Sequence, residues 1–178
     1  MNLETIKSWL SFRNRTKPIT TVVLHATAGS TAVGAISTLV QKQLSYHYII
    51  EDQRETDGKV IKCVPYNKVA FHAGKSKGPD GPNVNEYSIG ISFVNSNTGN
   101  DPYSQKQYNA ALELLTELFK AIPTLSYLTT HYWVSPLRKS DPRGFPVDKL
   151  ARDVSALVGR TVTIWNDGRG ILPGEGIK

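Results

Sequence analysis

Thr20–Gly29 reads TTVVLHATAG. Its first half is β-branched and apolar with no polar alternation, the pattern of a strand buried on both faces. A strand of that kind needs helices above and below it, and the chain on either side supplies them. Ala32–Leu44 places Ile36, Leu39, Val40 and Leu44 on one helical stripe, with Ser30 or Thr31 as cap and Gly34 as a weak point. Ser45–Glu51 and Lys59–Pro65 read as two strands of a hairpin around the charged turn Asp52–Gly58, and Ser88–Asn95 as a further strand. Ser104 and Gln107 form an S-x-x-Q capping box. Behind it Tyr108, Ala111, Leu112, Leu115, Leu118, Phe119 and Ile122 recur at helical steps until Pro123. Leu125–His131 reads as a short strand. Pro146 suits the first position of a last helix that carries Val147, Leu150, Val154 and Leu157 on one face. The sum is an α/β fold: a single domain with a central mixed β-sheet of about five or six strands and helices on both faces. It is expected over residues 20–165, after an N-terminal segment 1–19 and before a Gly-rich tail, 166–178, that reads as flexible.

The composition narrows the function classes. A chain of 178 residues is long enough for one self-sufficient core. Its single cysteine, Cys63, excludes an internal disulfide framework and a Cys-rich zinc module, and reads as a small buried hydrophobe. Twenty-one Lys and Arg against 15 Asp and Glu leave a net charge of +6, which favours a polyanionic partner. Nucleic acid is not expected, because no aromatic–basic interleaving or recognition helix is present. Met1–Leu10 lacks the apolar core of an export signal, so synthesis in the cytoplasm without a signal peptide is expected. No stretch is apolar enough for stable membrane insertion.

The chemistry is suggested by the four histidines. His25 and His131 end predicted strands, His47 lies within SYHYII, and His72 lies in FHAG. A lone strand-end histidine is more often structural than a ligand. The segment from His131 to Gly144, HYWVSPLRKSDPRG, changes the balance, because Asp141 follows His131 in a loop broken by Pro136, Pro142 and Gly144. Lys139, Arg138 and Arg143 around Asp141 favour its charged form. Two imidazoles and a carboxylate with an open fourth position are the composition of a hydrolytic zinc centre.

Four pieces then stand in a familiar order: VVLHATAG (Val22–Gly29), SYHYII (Ser45–Ile50), FHAG with SIGISFVN (Phe71–Gly74 and Ser88–Asn95), and His131 with Lys139-x-Asp141-Pro142. Over about Thr20 to Leu157 the chain resembles the zinc-dependent N-acetylmuramoyl-L-alanine amidases of the amidase type 2 family. That family includes phage endolysins, cytoplasmic anhydro-muropeptide amidases and animal peptidoglycan recognition proteins. The resemblance implies one zinc ion per chain on His25, His131 and Asp141, with water in the fourth position. It implies cleavage of the amide between N-acetylmuramic acid and L-alanine, with peptidoglycan or muropeptides as partners and a monomer as the working unit. Lys139 would stabilise the oxyanion. Tyr46 would position the attacking water, being a poor base at its ordinary pKa.

The resemblance places His72 near the substrate groove. The residues themselves offer softer groove candidates in Asn83, Asn85 and Glu86 of the long polar loop Gly74–Tyr87, in Trp133 as a stacking face or a core ring, and in Arg138 and Arg143 as partners of stem-peptide carboxylates or of the Asp141 loop. His47 alternates with Tyr46 along the strand and reads as structural. One departure matters: many cytoplasmic members carry I-G-I-E, where this chain has Ile89-Gly90-Ile91-Ser92. Ser92 cannot act as a base unaided. A lytic, endolysin-like enzyme acting on the cell wall after release is therefore the first expectation. A recycling anhydro-muropeptide amidase and a non-catalytic recognition module are the alternatives.

Overall fold

The computed structural model describes residues 3–53, 55–170, 174, 176 and 177. In chain order the elements are α1 (Leu3–Lys7), β1 (Phe12–Asn14), β2 (Thr21–Ala26), α2 (Ala32–Gln41), β3 (Tyr48–Ile50), β4 (Val60–Lys62), β5 (Lys68–Ala70), β6 (Lys77–Gly78) and β7 (Gly81–Pro82). A 3-10 turn at Val84–Tyr87 leads into β8 (Ser88–Phe93), followed by α3 (Gln105–Ala121), β9 (Tyr127–Thr130), α4 (His131–Val134), α5 (Val147–Val158) and β10 (Thr163–Ile164).

Six strands form the central sheet in the order β10-β9-β2-β8-β3-β4. All neighbours run parallel except the edge pair β3–β4, which is the hairpin read from the sequence, with Ile49 opposite Ile61. β2 lies between β9 and β8 and is buried at every position, as its unbroken apolar run requires.

The two faces of the sheet do different work. On one, Val22, Leu24, Ile89, Ile91, Phe93 and Leu128 pack under α3 and α5 with Leu115, Phe119, Leu150 and Val154. On the other, Ile49 and Ile61 meet Ile36 and Leu39 of α2 and Ile6 of α1. Because side chains alternate along a strand, β2 sends Val22 and Leu24 into the first core, which leaves His25 for the opposite face.

Several boundaries differ from the sequence reading, each for a local reason. α2 stops at Gln41, where Gln43 takes a left-handed φ of 54°, so Leu44 leaves the stripe and is 38% exposed. Of its two candidate caps, Thr31 accepts the Gly34 amide. The predicted first strand of the hairpin begins only at Tyr48. His131 opens the short α4, capped by Thr130, where the end of a strand was expected. In α5 Pro146 is the cap, and Ala151 joins Leu150 and Val154 in the core, while Leu157 is 54% exposed.

The two ends of the chain are more tightly built in than their composition suggests. Ile6 and Leu10 enter the core, and β1 pairs with β5. Arg15 donates to the carbonyls of Lys68, Glu86 and Ser88. In the tail, the Arg169 carbonyl accepts the Trp133 indole N–H at 3.0 Å, and the Arg169 guanidinium lies 3.9 Å from the Tyr132 ring centre. Ile177 bridges Tyr103. Residues 171–173, 175 and 178, also part of the predicted tail, lie outside the described residues. No described helix is long and apolar enough to cross a membrane.

Candidate metal centre

β2 and β9 run parallel side by side, and each ends at a histidine: His25 near the end of β2, His131 immediately after β9. Asp141 returns on the loop after α4, its carbonyl accepting the Tyr132 amide at 2.9 Å. The Arg143 amide, held by Asn97 Oδ1 at 2.7 Å, anchors the far side of that loop.

The three side chains are buried and converge. His25 Nδ1 is 3.0 Å from His131 Nδ1, and Asp141 Oδ2 lies 3.2 Å from the His131 atom and 3.4 Å from the His25 atom. Tetrahedral zinc with nitrogen and oxygen ligands at about 2.0–2.1 Å holds its ligand atoms roughly 3.3 Å apart. Two imidazole nitrogens and one carboxylate oxygen, 3.0–3.4 Å apart, stand at the spacing that the ligand atoms of a single cation take. A cation shared by the three satisfies them together, so the donor set fits a metal.

Electrostatics favour the ligand forms. Burial, with His131 and Lys139 adding to it, lowers the His25 pKa to about 4. Burial opposes ionisation of Asp141, but hydrogen bonds and charge from His131 and His25 outweigh it and hold the carboxyl well below the usual carboxylate range. Two of the flanking cations are engaged elsewhere: Arg138 donates to the Lys75 carbonyl and Arg143 to that of Thr98.

A cleft of about 500 Å³ opens over the triad, bordered by Tyr46, Lys139, Ser140, Asn97 and Ala28. Tyr46 sits with its ring centre 4.9 Å from that of His25. Burial first, and the Asp141 charge second, push its hydroxyl up, so it stays protonated and able to donate. Ser92, in register with His25 on β8, is fully buried beside the Tyr46 hydroxyl. Lys139 and Arg138 are exposed at the rim.

The other sequence candidates fall elsewhere. Trp133 is 2% exposed and belongs to the core, so it offers no stacking face. The Asn85 side-chain carbonyl accepts the amides of His72 and Ala73 and so pins FHAG to the loop. Glu86 pairs with Arg13. The loop Gly74–Tyr87 is folded, with Val84 and Tyr87 packed against Val23 and Val134. Cys63 is half-buried, and burial pushes its thiol up to about 12.

His72 is buried, with its Nδ1 3.0 Å from His25 Nε2 and its Nε2 3.1 Å from Ser88 Oγ. Both ring nitrogens therefore have protein partners, while the ring itself borders the cleft. His47 does not alternate away from Tyr46, because no regular strand exists before Tyr48. Its ring lies 5.8 Å from that of His72, its Nδ1 accepts the Gly90 amide at 2.9 Å, and its Nε2 reaches the Lys68 carbonyl. All four histidines thus form one buried row, which the sequence reading missed. The signal was in S-I-G-I-S: Ser88, Gly90 and Ser92 alternate with core residues and leave small side chains on the histidine face.

Residues 15–144 match the N-acetylmuramoyl-L-alanine amidase family, and the chain belongs to it. The 1,6-anhydro-N-acetylmuramyl-L-alanine amidase AmpD of Haemophilus influenzae is 32% identical over 106 residues, which cover 58% of this chain and 54% of that protein. The chain thus spans about half the length of this curated relative, and a little less of the same enzyme from Enterobacter cloacae, at 46%. Among solved structures, AmpDh3 of Pseudomonas aeruginosa in complex with anhydromuramic pentapeptide superposes with a TM-score of 0.69 at 26% identity. That match covers 82% of this chain and 61% of the other. AmiD of E. coli, in complex with the substrate anhydro-N-acetylmuramic acid-L-Ala-D-gamma-Glu-L-Lys, gives 0.65 at 25%, covering 80% and 58%.

Proposed function

We propose that the protein is a zinc-dependent amidase that cuts the bond between the lactyl group of N-acetylmuramic acid and L-alanine in soluble 1,6-anhydro-muropeptides. The observation that carries this is the convergence of His25, His131 and Asp141 on one point at the floor of an open cleft, in a chain of this family. A bound zinc would supply Lewis-acid polarisation of the scissile carbonyl and acidification of a water. The chain's own groups do the rest. Tyr46, protonated and beside His25, donates a hydrogen bond that orients the attacking water or the carbonyl. Lys139, at the rim of the same cleft, supplies a positive charge that stabilises the oxyanion.

The lytic, endolysin-like expectation gives way here. The similar proteins are named as anhydro-muramyl amidases or were solved in complex with anhydro-muramyl peptides, and this outweighs the single departure at Ser92. A soluble substrate also removes the need for release to the wall. The recognition-module alternative is disfavoured by the presence of all three donors within 3.4 Å of one another.

Products from anhydro-muropeptides and from intact sacculi, resolved by mass spectrometry, test the reading. The expected result is one water added across the lactyl amide, giving a free lactyl carboxylate and a stem peptide with a free L-alanine amine, mainly from the soluble substrate. No amide cleavage of either substrate rejects the amidase reading, while preferential solubilisation of sacculi restores the lytic one.

A further inference from the structure

The histidine row has a direction. His25 faces His131 and Asp141 through Nδ1, so its Nε2 points back into the protein, where it meets His72 Nδ1 at 3.0 Å. His72 is held in a slot made for its ring. An added Cβ at Gly90 would lie 2.6 Å from His72 Cγ, so only glycine at that position of β8 lets the imidazole lie on the sheet. The His47 ring stands edge-on to it at 5.8 Å, Ser88 Oγ meets its Nε2, and Asn85 fixes its backbone amide.

We propose that His72 is a positioning residue for the metal centre: its Nδ1 accepts the Nε2–H of His25, which leaves His25 Nδ1 free of a proton and aimed at the metal. His72 is then the Nε2–H tautomer and donates to Ser88 Oγ. The relay Ser88–His72–His25 sets both the tautomer and the ring angle of the first ligand. Outer partners of metal-bound histidines typically contribute about 10–100-fold to metal affinity. His131 makes the contrast, since its Nε2 is buried and has no hydrogen-bond partner among the described residues. Of the two histidine ligands, then, His25 is the one whose orientation the protein fixes through its far nitrogen.

The inference rests on the proposed metal reading, and the experiment separates the two. Zinc affinity is measured by competition with a chromogenic chelator, and the Co2+ d–d spectrum is recorded, for the wild type, His72→Phe, His72→Asn and Ser88→Ala. The phenyl ring keeps the packing against Gly90 but removes the acceptor, whereas the asparagine carbonyl stands close to the place of Nδ1. Expected are a loss of about 10–100-fold in zinc affinity and a shifted cobalt spectrum for His72→Phe, and near wild-type values for His72→Asn. Wild-type affinity and spectrum in a folded His72→Phe would overturn the proposal, leaving His72 as packing. Should His72→Phe fail to melt cooperatively, Ser88→Ala decides. A several-fold weaker affinity at unchanged melting temperature supports the relay, and unchanged affinity overturns it. A wild-type chain that binds no zinc rejects the metal centre itself.

Discussion

Lys139 stands at the rim of the cleft two residues before Asp141, close enough for its charge to bear on His25. A lysine there can stabilise negative charge only as it develops on the carbonyl oxygen, because the ground-state amide is neutral. Lys139→Ala should therefore lower kcat by about 10²–10³ while KM and zinc content stay near wild type. Steady-state kinetics with metal analysis of the same samples check this, and a wild-type kcat would make Lys139 an ordinary solvated lysine. At this scale the grouping of His25, His131 and Asp141 was legible, through the family resemblance that their motifs carry and not through spacing alone. The surroundings were not. Trp133 and Asn85 look like binding residues in sequence and are structural in space, since an indole two residues into a helix turns to whichever side the core lies. The pairing of His72 with His25 was hidden for the opposite reason: what lets the two rings meet is the missing side chain at Gly90, 18 positions further along the chain.

Among the elements, α3 shows how far local signals reach. Its predicted capping box is present, with Ser104 Oγ accepting the Gln107 amide at 2.9 Å and Gln107 Oε1 accepting the Ser104 amide at 3.2 Å. The Ser104 hydroxyl also donates to Asp57, tying the helix start to the β3–β4 turn. Ser104→Ala should destabilise the fold by about 1–2 kcal/mol, from the lost cap and the stranded carboxylate, with the zinc affinity unchanged. Urea unfolding read against metal binding tests it, and a loss below 0.5 kcal/mol (about half the usual cap contribution) would assign the helix start to packing alone. Long periodic elements such as α3 and α5 were legible for this reason. β1, β5 and β10 were not, because strands of two or three residues carry no period and exist only through their partners, as Arg13 opposite Val69 illustrates.

Over the whole molecule the layered α/β plan followed from the order of strands and helices. The docking of both chain ends did not, since it depends on single contacts such as Trp133 to Arg169. The buried histidine row has a molecular consequence of its own. His47 is held neutral, its pKa lowered to about 3 mainly by burial, while an unfolded chain titrates its histidines near 6.5. Between those values the unfolded state binds a proton that the folded state refuses. Stability contributed by the neutral ring is thus fully present above pH 6.5 or so and is lost as pH falls toward 3. Each such histidine steepens the loss by up to about 1.4 kcal/mol per pH unit. His47→Asn keeps an acceptor for the Gly90 amide and removes the titration. Denaturant unfolding of wild type and variant from pH 7.5 down to 4.5 should show the variant falling less steeply, by about 1 kcal/mol per pH unit below pH 6. Parallel slopes would mean that protonated His47 is accommodated in the fold, and with it that the wall the row builds behind His72 is softer than its burial implies.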